Sequence, residues 1–316
     1  GFVASEELIA DGIAEYQAHG GEGSKAEVQP KKEEALPLPQ KRPRRERVTF
    51  APLHPEIPRE QRHDFQIVDE KLGEGGAKTK FENNIAAIQI LKQVEAENRL
   101  ATPEEQEVLS RYVGWGGLPQ VFDENNPQWS KERVKLQEIL TPEEYNFARS
   151  TTLNAHYTTP IVIRTIYQAL ENMGFRTGNI LEPSCGIGNF FGMIPESMKE
   201  SKLFGVELDS TTGRIAQQLY QNASIVVRGF EKTDLPDSFF DLAIGNVPFG
   251  NYSVYDRKYD KYHFLIHDYF FAKTLDKVRP GGVMALITSK GTMDKMNSSV
   301  REYLAQRAEL IGAIRL

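Results

Sequence analysis

Asn246-Val-Pro248-Phe249 closes an apolar run, Asp241-Leu-Ala-Ile-Gly245, with the length and composition of a buried strand. An amide, a prolyl carbonyl and an aromatic ring at a strand end can hold an exocyclic amine and stack the flat ring that carries it. Such an amine is a poor nucleophile, because its lone pair is delocalised into the ring. Two acceptors, Asn246 Oδ1 and the Pro248 carbonyl, each taking one N–H, favour a tetrahedral nitrogen with its lone pair free. Plainer roles stand beside these: Asn and Pro at a strand end initiate turns, and Phe249 could be a core residue.

A second constellation lies upstream. Ile180-Leu-Glu182-Pro183-Ser184-Cys-Gly186-Ile-Gly188-Asn-Phe follows a short apolar run and opens a helical pattern. Two glycines let the backbone turn tightly and approach a ligand closely, and a helix start offers free amides. Glu207 ends the next run about twenty residues on, where a carboxylate accepts from both hydroxyls of a ribose. A dinucleotide and S-adenosylmethionine therefore compete as ligands. Three features favour the second. Phe191 stands where the dinucleotide fingerprint needs its third glycine. Glu182 would repel a pyrophosphate but suits an ammonium or sulfonium group. The Asn246 run has no place in a dehydrogenase.

In this setting the residues resemble the N6-adenine DNA methyltransferases over about residues 150–316. Leu181-Glu-Pro-Ser-Cys-Gly-x-Gly-Asn-Phe190 is similar to their motif I, and Ala155-His-Tyr157-Thr158-Thr-Pro160 to their motif X. Glu207 matches the acidic motif II position, Glu231 that of motif III, and Asn246-Val-Pro248-Phe249 motif IV. Tyr269–Asp276, Gly281–Thr288 and Lys290–Met293 fall in the regions of motifs V, VI and VIII. The order resembles the group with the cofactor half first and the target-recognition region last. Val247 departs from the commoner second proline, but its side chain is not needed for the amine contacts. Gly75-Gly-Ala-Lys78 and Arg111-Tyr-Val-Gly-Trp-Gly-Gly-Leu118 further resemble the large methylase–helicase proteins of bacterial mobile elements.

The resemblance implies an S-adenosyl-L-methionine cofactor. Tyr157 and Thr158 would contact its methionine end, Glu207 its ribose and Glu231 the region of the adenine amino group, with Glu182, Pro183, Ser184, Gly186, Gly188 and Leu208 also cofactor-binding. It implies a flipped adenine between Asn246, Pro248 and Phe249. Methylation of RNA bases or of a protein glutamine amide is the alternative, as is a binding or scaffolding module without turnover. DNA is the implied partner, and a helicase region of the full-length protein is a further one.

These side chains need a scaffold. Strands are expected at 179–182, 203–207, 224–227, 240–245, 282–288 and 310–315, with helices near 160–173, 188–199, 210–221, 262–278 and 297–307. Such alternation predicts a mostly parallel, doubly wound α/β sheet, which the resemblance implies is of Rossmann-like methyltransferase type, and ligands of such sheets bind at the carboxyl ends of the strands. Upstream, helical spacing marks 84–97. Thr102-Pro-Glu-Glu105 and Thr141-Pro-Glu-Glu144 are capping-box starts, the first opening a helix through Tyr112. Gly73–Thr79 lacks the order of a phosphate loop and is read as a turn. His263 and His267 lie four apart on an expected helix with no third metal ligand in view, so no metal is expected. Three regions follow: a linker or disordered arm over 1–64, a helical region over 65–150 and a methyltransferase core over 151–316. The arm contains a short amphipathic helix within 1–18 and a basic run, Lys41–Arg47, read as a solvated linker or a phosphate-contacting arm.

Composition bounds the rest. The 316 residues are 40% hydrophobic and carry a net charge of -6, so nucleic-acid binding would need a local patch or another part of the protein. One cysteine, Cys185, excludes an internal disulfide framework and suits a reducing cytoplasm. No run approaches the roughly 18 apolar residues of a membrane span. The start at Gly1 and the stop after an apolar run, Leu310–Ile314, suggest an excised piece whose sheet lacks its last strand.

Overall fold

The computed structural model describes residues 50–69, 72–152 and 158–315. The expected helix within 1–18, the basic run Lys41–Arg47 and Tyr157 lie outside them.

The upstream region holds the helices α1 (Ala77–Ala96), α2 (Pro103–Leu109), α3 (Ser130–Ile139) and α4 (Pro142–Thr151). Helix α1 starts earlier than its clearest periodicity, because Phe81 already lies on the buried face with Ile85, Ile88 and Leu91. Both expected capping boxes form, Thr102 with Glu105 and Thr141 with Glu144. Helix α2 ends at Leu109 rather than Tyr112, since Arg111 and Tyr112 bond back only three residues and Gly114 then turns with φ +69°. The expected turn forms over residues 73–76, with Gly73 and Gly75 both at positive φ, while residues 77–79 already belong to the first turn of α1. Lys78 stands 3.9 Å above the Trp129 ring and 2.5 Å from Glu132.

Strands β1 (Asn179–Glu182), β2 (Lys202–Glu207), β3 (Ser224–Val227), β4 (Phe240–Asn246) and β5 (Val278–Ile287) pair in parallel, in the order β3-β2-β1-β4-β5. Helix α5 (Pro160–Asn172) leads into β1; α6 (Asn189–Gly192), α7 (Ser210–Leu219) and α8 (Ile266–Lys277) run between strands; α9 (Gly291–Asp294) and α10 (Ser299–Ala305) follow β5. This is the doubly wound α/β sheet expected from the sequence.

Alternation along the strands divides the core. Ile180, Leu242 and Ile244 face a layer built from α5, α7 and the upstream helices. Leu181 and Ala243 face a layer built from α8 and α10. The first layer is continuous from Phe65 through Trp115 and Leu136 to Ile215, so the upstream helices share one core with the sheet. Residues 50–69 also bind it: Phe65 N donates to Leu219 O at 2.8 Å and Ile67 N to Gly192 O at 2.8 Å.

Three expectations require correction. The helix expected over 188–199 is a single turn, α6, followed by a 3-10 turn at Glu196–Met198, because Pro195 has no N–H with which to continue it. The helix expected from 262 starts at Ile266, after a left-handed His263 with φ +52°. The run Leu310–Arg315 is not a strand; Ile311 is 73% and Ile314 82% exposed, and apolar composition alone supplies no ladder partner.

Candidate active site

Strand β1 pairs with β2 on one side and β4 on the other, so the winding of the sheet reverses between β1 and β4. Glu182 closes β1 and Asn246 closes β4, at the edge where ligands of such sheets bind. Gly245 makes the approach possible. Its φ is +144°, and a Cβ there would stand 3.0 Å from Glu182 Cγ. Asn246 Nδ2 donates to Thr158 Oγ1 at 3.3 Å, which brings the residue ahead of α5 to the end of β4.

The Glu182–Gly188 turn is held from below. Cys185 N donates to Val206 O at 2.9 Å, and Gly188 N to Cys185 O at 2.7 Å. Its two glycines have different tasks. Gly188 (φ +86°) packs on Tyr220, whose ring a Cβ would overlap. Gly186 (φ +55°) faces open space, with no atom within 4 Å of an added Cβ, so its backbone is the approachable one. Glu207 at the end of β2 ties into this turn: Oε2 accepts from Gly186 N at 2.8 Å and Oε1 from Asp209 N at 2.8 Å. Pro183 is buried and Ser184 half-buried within the turn.

The electrostatics favour a cationic or donor-rich ligand. Glu182 is 2% exposed and its Oε2 has no hydrogen-bond partner among the described residues. Burial, reinforced by the Glu207 charge, raises its pKa well above the usual carboxylate range. Burial also pushes Glu207 up to about 7, against the opposing backbone amides of Asp209 and Gly186. Burial pushes the Cys185 thiol well up too, which makes it a packing residue rather than a nucleophile.

Beyond Asn246, Val247 is buried and its N donates to Ile287 O at 3.1 Å, while Pro248 and Phe249 are half-buried. Glu231 sits in the turn Phe230–Lys232 after β3, folded over Gly229 and 4.0 Å from Lys232. Leu208 is 58% exposed and lines a groove that Phe147 and Thr141 of the α4 segment share with Arg214. Arg214 donates to Glu144 of α4 and, at 2.8 Å, to Glu95 of α1. The involvement of α4 beside Leu208 had no signal in the sequence, because the two are about sixty positions apart and only packing joins them.

His263 and His267 do not share a helical face, since only His267 lies on α8. His267 and Asp268 are buried in the first turn of α8, where Lys295 from the segment after β5 reaches Asp268. Gly291 lies close by, an added Cβ falling 3.5 Å from His267 Nε2. Among the described residues no group of three or more His, Cys, Asp or Glu side chains could hold a metal, and no helix is long and apolar enough to cross a membrane.

No family model matches the chain. It is 27% identical over 255 residues (79% of the chain) to the defense against restriction protein B of Escherichia phage P1, covering 10% of that protein. It is 40% identical over 92 residues (29% of the chain) to a type II methyltransferase of Paramecium bursaria Chlorella virus XZ-6E, covering 23% of that protein. It is 21% identical over 195 residues (59% of the chain) to an rRNA N(6)-adenosine-methyltransferase of Caenorhabditis elegans, covering 79% of it. The chain thus spans a small part of the first two curated relatives and most of the third.

Proposed function

We propose that the chain carries the catalytic core of an S-adenosylmethionine-dependent methyltransferase acting on N6 of adenine in DNA. The observation that carries this is the meeting of two strand ends at the switch point: Asn246 of β4, bonded to Thr158, stands beside the Glu182–Gly188 turn of β1. A type II methyltransferase among the relatives supports a DNA substrate.

The residues fit the cofactor. The open side of Gly186 admits a ligand backbone-close, Glu207 presents a carboxylate to a ribose, and buried Glu182 complements a positive charge. Tyr157 and Thr158 complete the methionine end, with Pro183 and Ser184 shaping the turn. Leu208 and Glu231 flank the adenine. The cofactor supplies an electrophilic sulfonium methyl group. Asn246 Oδ1 and the Pro248 carbonyl accept the two N–H groups of the flipped base, aiming the nitrogen lone pair along the line of displacement. Phe249 stacks on the ring. Orientation and charge complementarity supply most of the rate. In this proposal 151–316 is the core, 65–150 buttresses it, and target recognition and any helicase activity reside elsewhere in a longer cytoplasmic protein.

A second reading, methylation of an adenosine in RNA, has the C. elegans relative in its favour. Labelled methyl transfer to duplex DNA and to structured RNA separates the two. Incorporation into DNA that Asn246→Ala abolishes is expected; incorporation into RNA alone would overturn the first choice.

A further inference from the structure

Lys273 is 3% exposed in the middle of α8, and its ammonium is shared between two loops. One bond runs 2.7 Å to the carbonyl of Phe230, in the turn after β3 that carries Glu231. The other runs 2.9 Å to Asp256 Oδ2, in the segment that follows Phe249. Asp256 is fixed further by the Tyr269 hydroxyl, 2.8 Å from the same oxygen. The Phe230 and Tyr269 rings lie 4.9 and 5.7 Å from the ammonium and shield it from water. A buried charge is costly unless it is fully paired, so loss of either partner leaves the ammonium under-satisfied.

We propose that Lys273 is a positioning residue that couples the two ligand sites, tying the cofactor-side turn at Glu231 to the base-side loop at Phe249–Asp256. This rests on the function proposed above. Each ligand orders its own loop, and each ordered loop holds the ammonium where the other loop needs it. Coupling of this kind is reciprocal: occupancy of one site tightens the other by the same factor.

The molecule supplies its own control one turn further along α8. Lys277 is also buried, and its ammonium bonds Leu235 O at 2.7 Å and Asp237 Oδ1 at 2.6 Å, both in the segment between β3 and β4. Among the described residues Lys277 makes no bond to Phe249–Asp256; it reaches Lys258, just beyond that loop, through an exposed pair of Asp237 with Lys258, a kind of contact with little energetic weight. Losing Lys277 therefore removes a buried ammonium without severing the bridge.

The test measures duplex-DNA affinity by fluorescence anisotropy with and without saturating S-adenosylhomocysteine, in the wild type, Lys273→Met, Lys273→Arg, Asp256→Asn and Lys277→Met. The wild type and Lys277→Met should show a cofactor-induced tightening of about tenfold. Lys273→Met and Asp256→Asn should reduce it to less than about twofold, with Lys273→Arg recovering part. Asp256→Asn preserves the shape of the loop and serves if Lys273→Met does not fold. Equal coupling in Lys273→Met and Lys277→Met, or no coupling in the wild type, overturns the proposal. A wild type that binds neither S-adenosylhomocysteine nor DNA overturns the proposed function itself, and the coupling with it.

Discussion

Asn246 Nδ2 donates to Thr158 Oγ1 at 3.3 Å, across 88 positions of the chain. The bond joins the residue proposed to grip the target amine to one proposed to grip the methionine end of the cofactor. With Nδ2 engaged by Thr158, the carbonyl oxygen of Asn246 is the end proposed to accept an amine N–H.

Thr158→Val removes that acceptor while keeping the volume of the side chain. We expect the turnover rate to fall by about tenfold with a smaller change in cofactor affinity, and Thr158→Ser to stay near wild type. Steady-state methyl transfer paired with calorimetry reads the two quantities separately. An unchanged turnover in Thr158→Val would show that the bond does not orient Asn246.

Glu207 supplies a pH dependence whose sign can be worked out. Burial holds its pKa at about 7 in the folded chain, above the ordinary value of 4.5. Between those two values the unfolded chain has released a proton that the folded chain retains, so this group's contribution to stability falls as pH rises through the window and is level above it. Glu182 and Asp209, both also raised by burial, act in the same direction. Ribose hydroxyls donate best to the ionised form, so cofactor affinity should climb up to about pH 7. Thermal melts and calorimetry on Glu207→Gln should show a flatter profile for both; an unaltered profile would remove Glu207 as the source.

The two glycines of the β1 turn should separate stability from binding. Gly188→Ala combines a left-handed φ with overlap on Tyr220 and should cost about 3 kcal/mol. Gly186→Ala meets no atom and should cost about 1 kcal/mol, yet weaken S-adenosylhomocysteine binding by about tenfold or more. Urea titrations and calorimetry on the pair decide this. Equal binding losses after correcting for stability would place the ligand elsewhere.

Lys295 and Asp268 join the segment after β5 to the first turn of α8, and the Asp268 side chain is only 2% exposed. Lys295→Met leaves that carboxylate buried without its partner and should destabilise the chain by about 3 kcal/mol. Adding Asp268→Asn should return part of the loss, because the uncompensated charge is then gone. A double variant as unstable as Lys295→Met alone would mean the loss comes from packing of the Lys295 stem.

What could be read in advance follows from the range of the interactions concerned. Strand periodicity, the capping boxes at Thr102 and Thr141, and the glycine turn after β1 depend on residues within a few positions of one another, so the sequence by itself determined them. The same locality made Glu182, Glu207 and Asn246 legible as strand-end residues, although not as neighbours. Pro195 is just as local a signal, and it is what prevents a continuous helix over 188–199.

Only the tertiary structure decided which strand ends meet. Placing β1 between β2 and β4 sets the Glu182 turn beside Asn246, and this follows from the burial of both sheet faces rather than from any motif. The Lys273 bridge, the Thr158–Asn246 bond and the seat of Phe147 beside Leu208 have the same origin. A buried ammonium finds its partners through the desolvation it must offset, and that condition exists only once the surrounding layers have closed. The exposed Leu310–Arg315 run is the converse: apolar residues that no neighbouring strand among the described residues pairs make no strand.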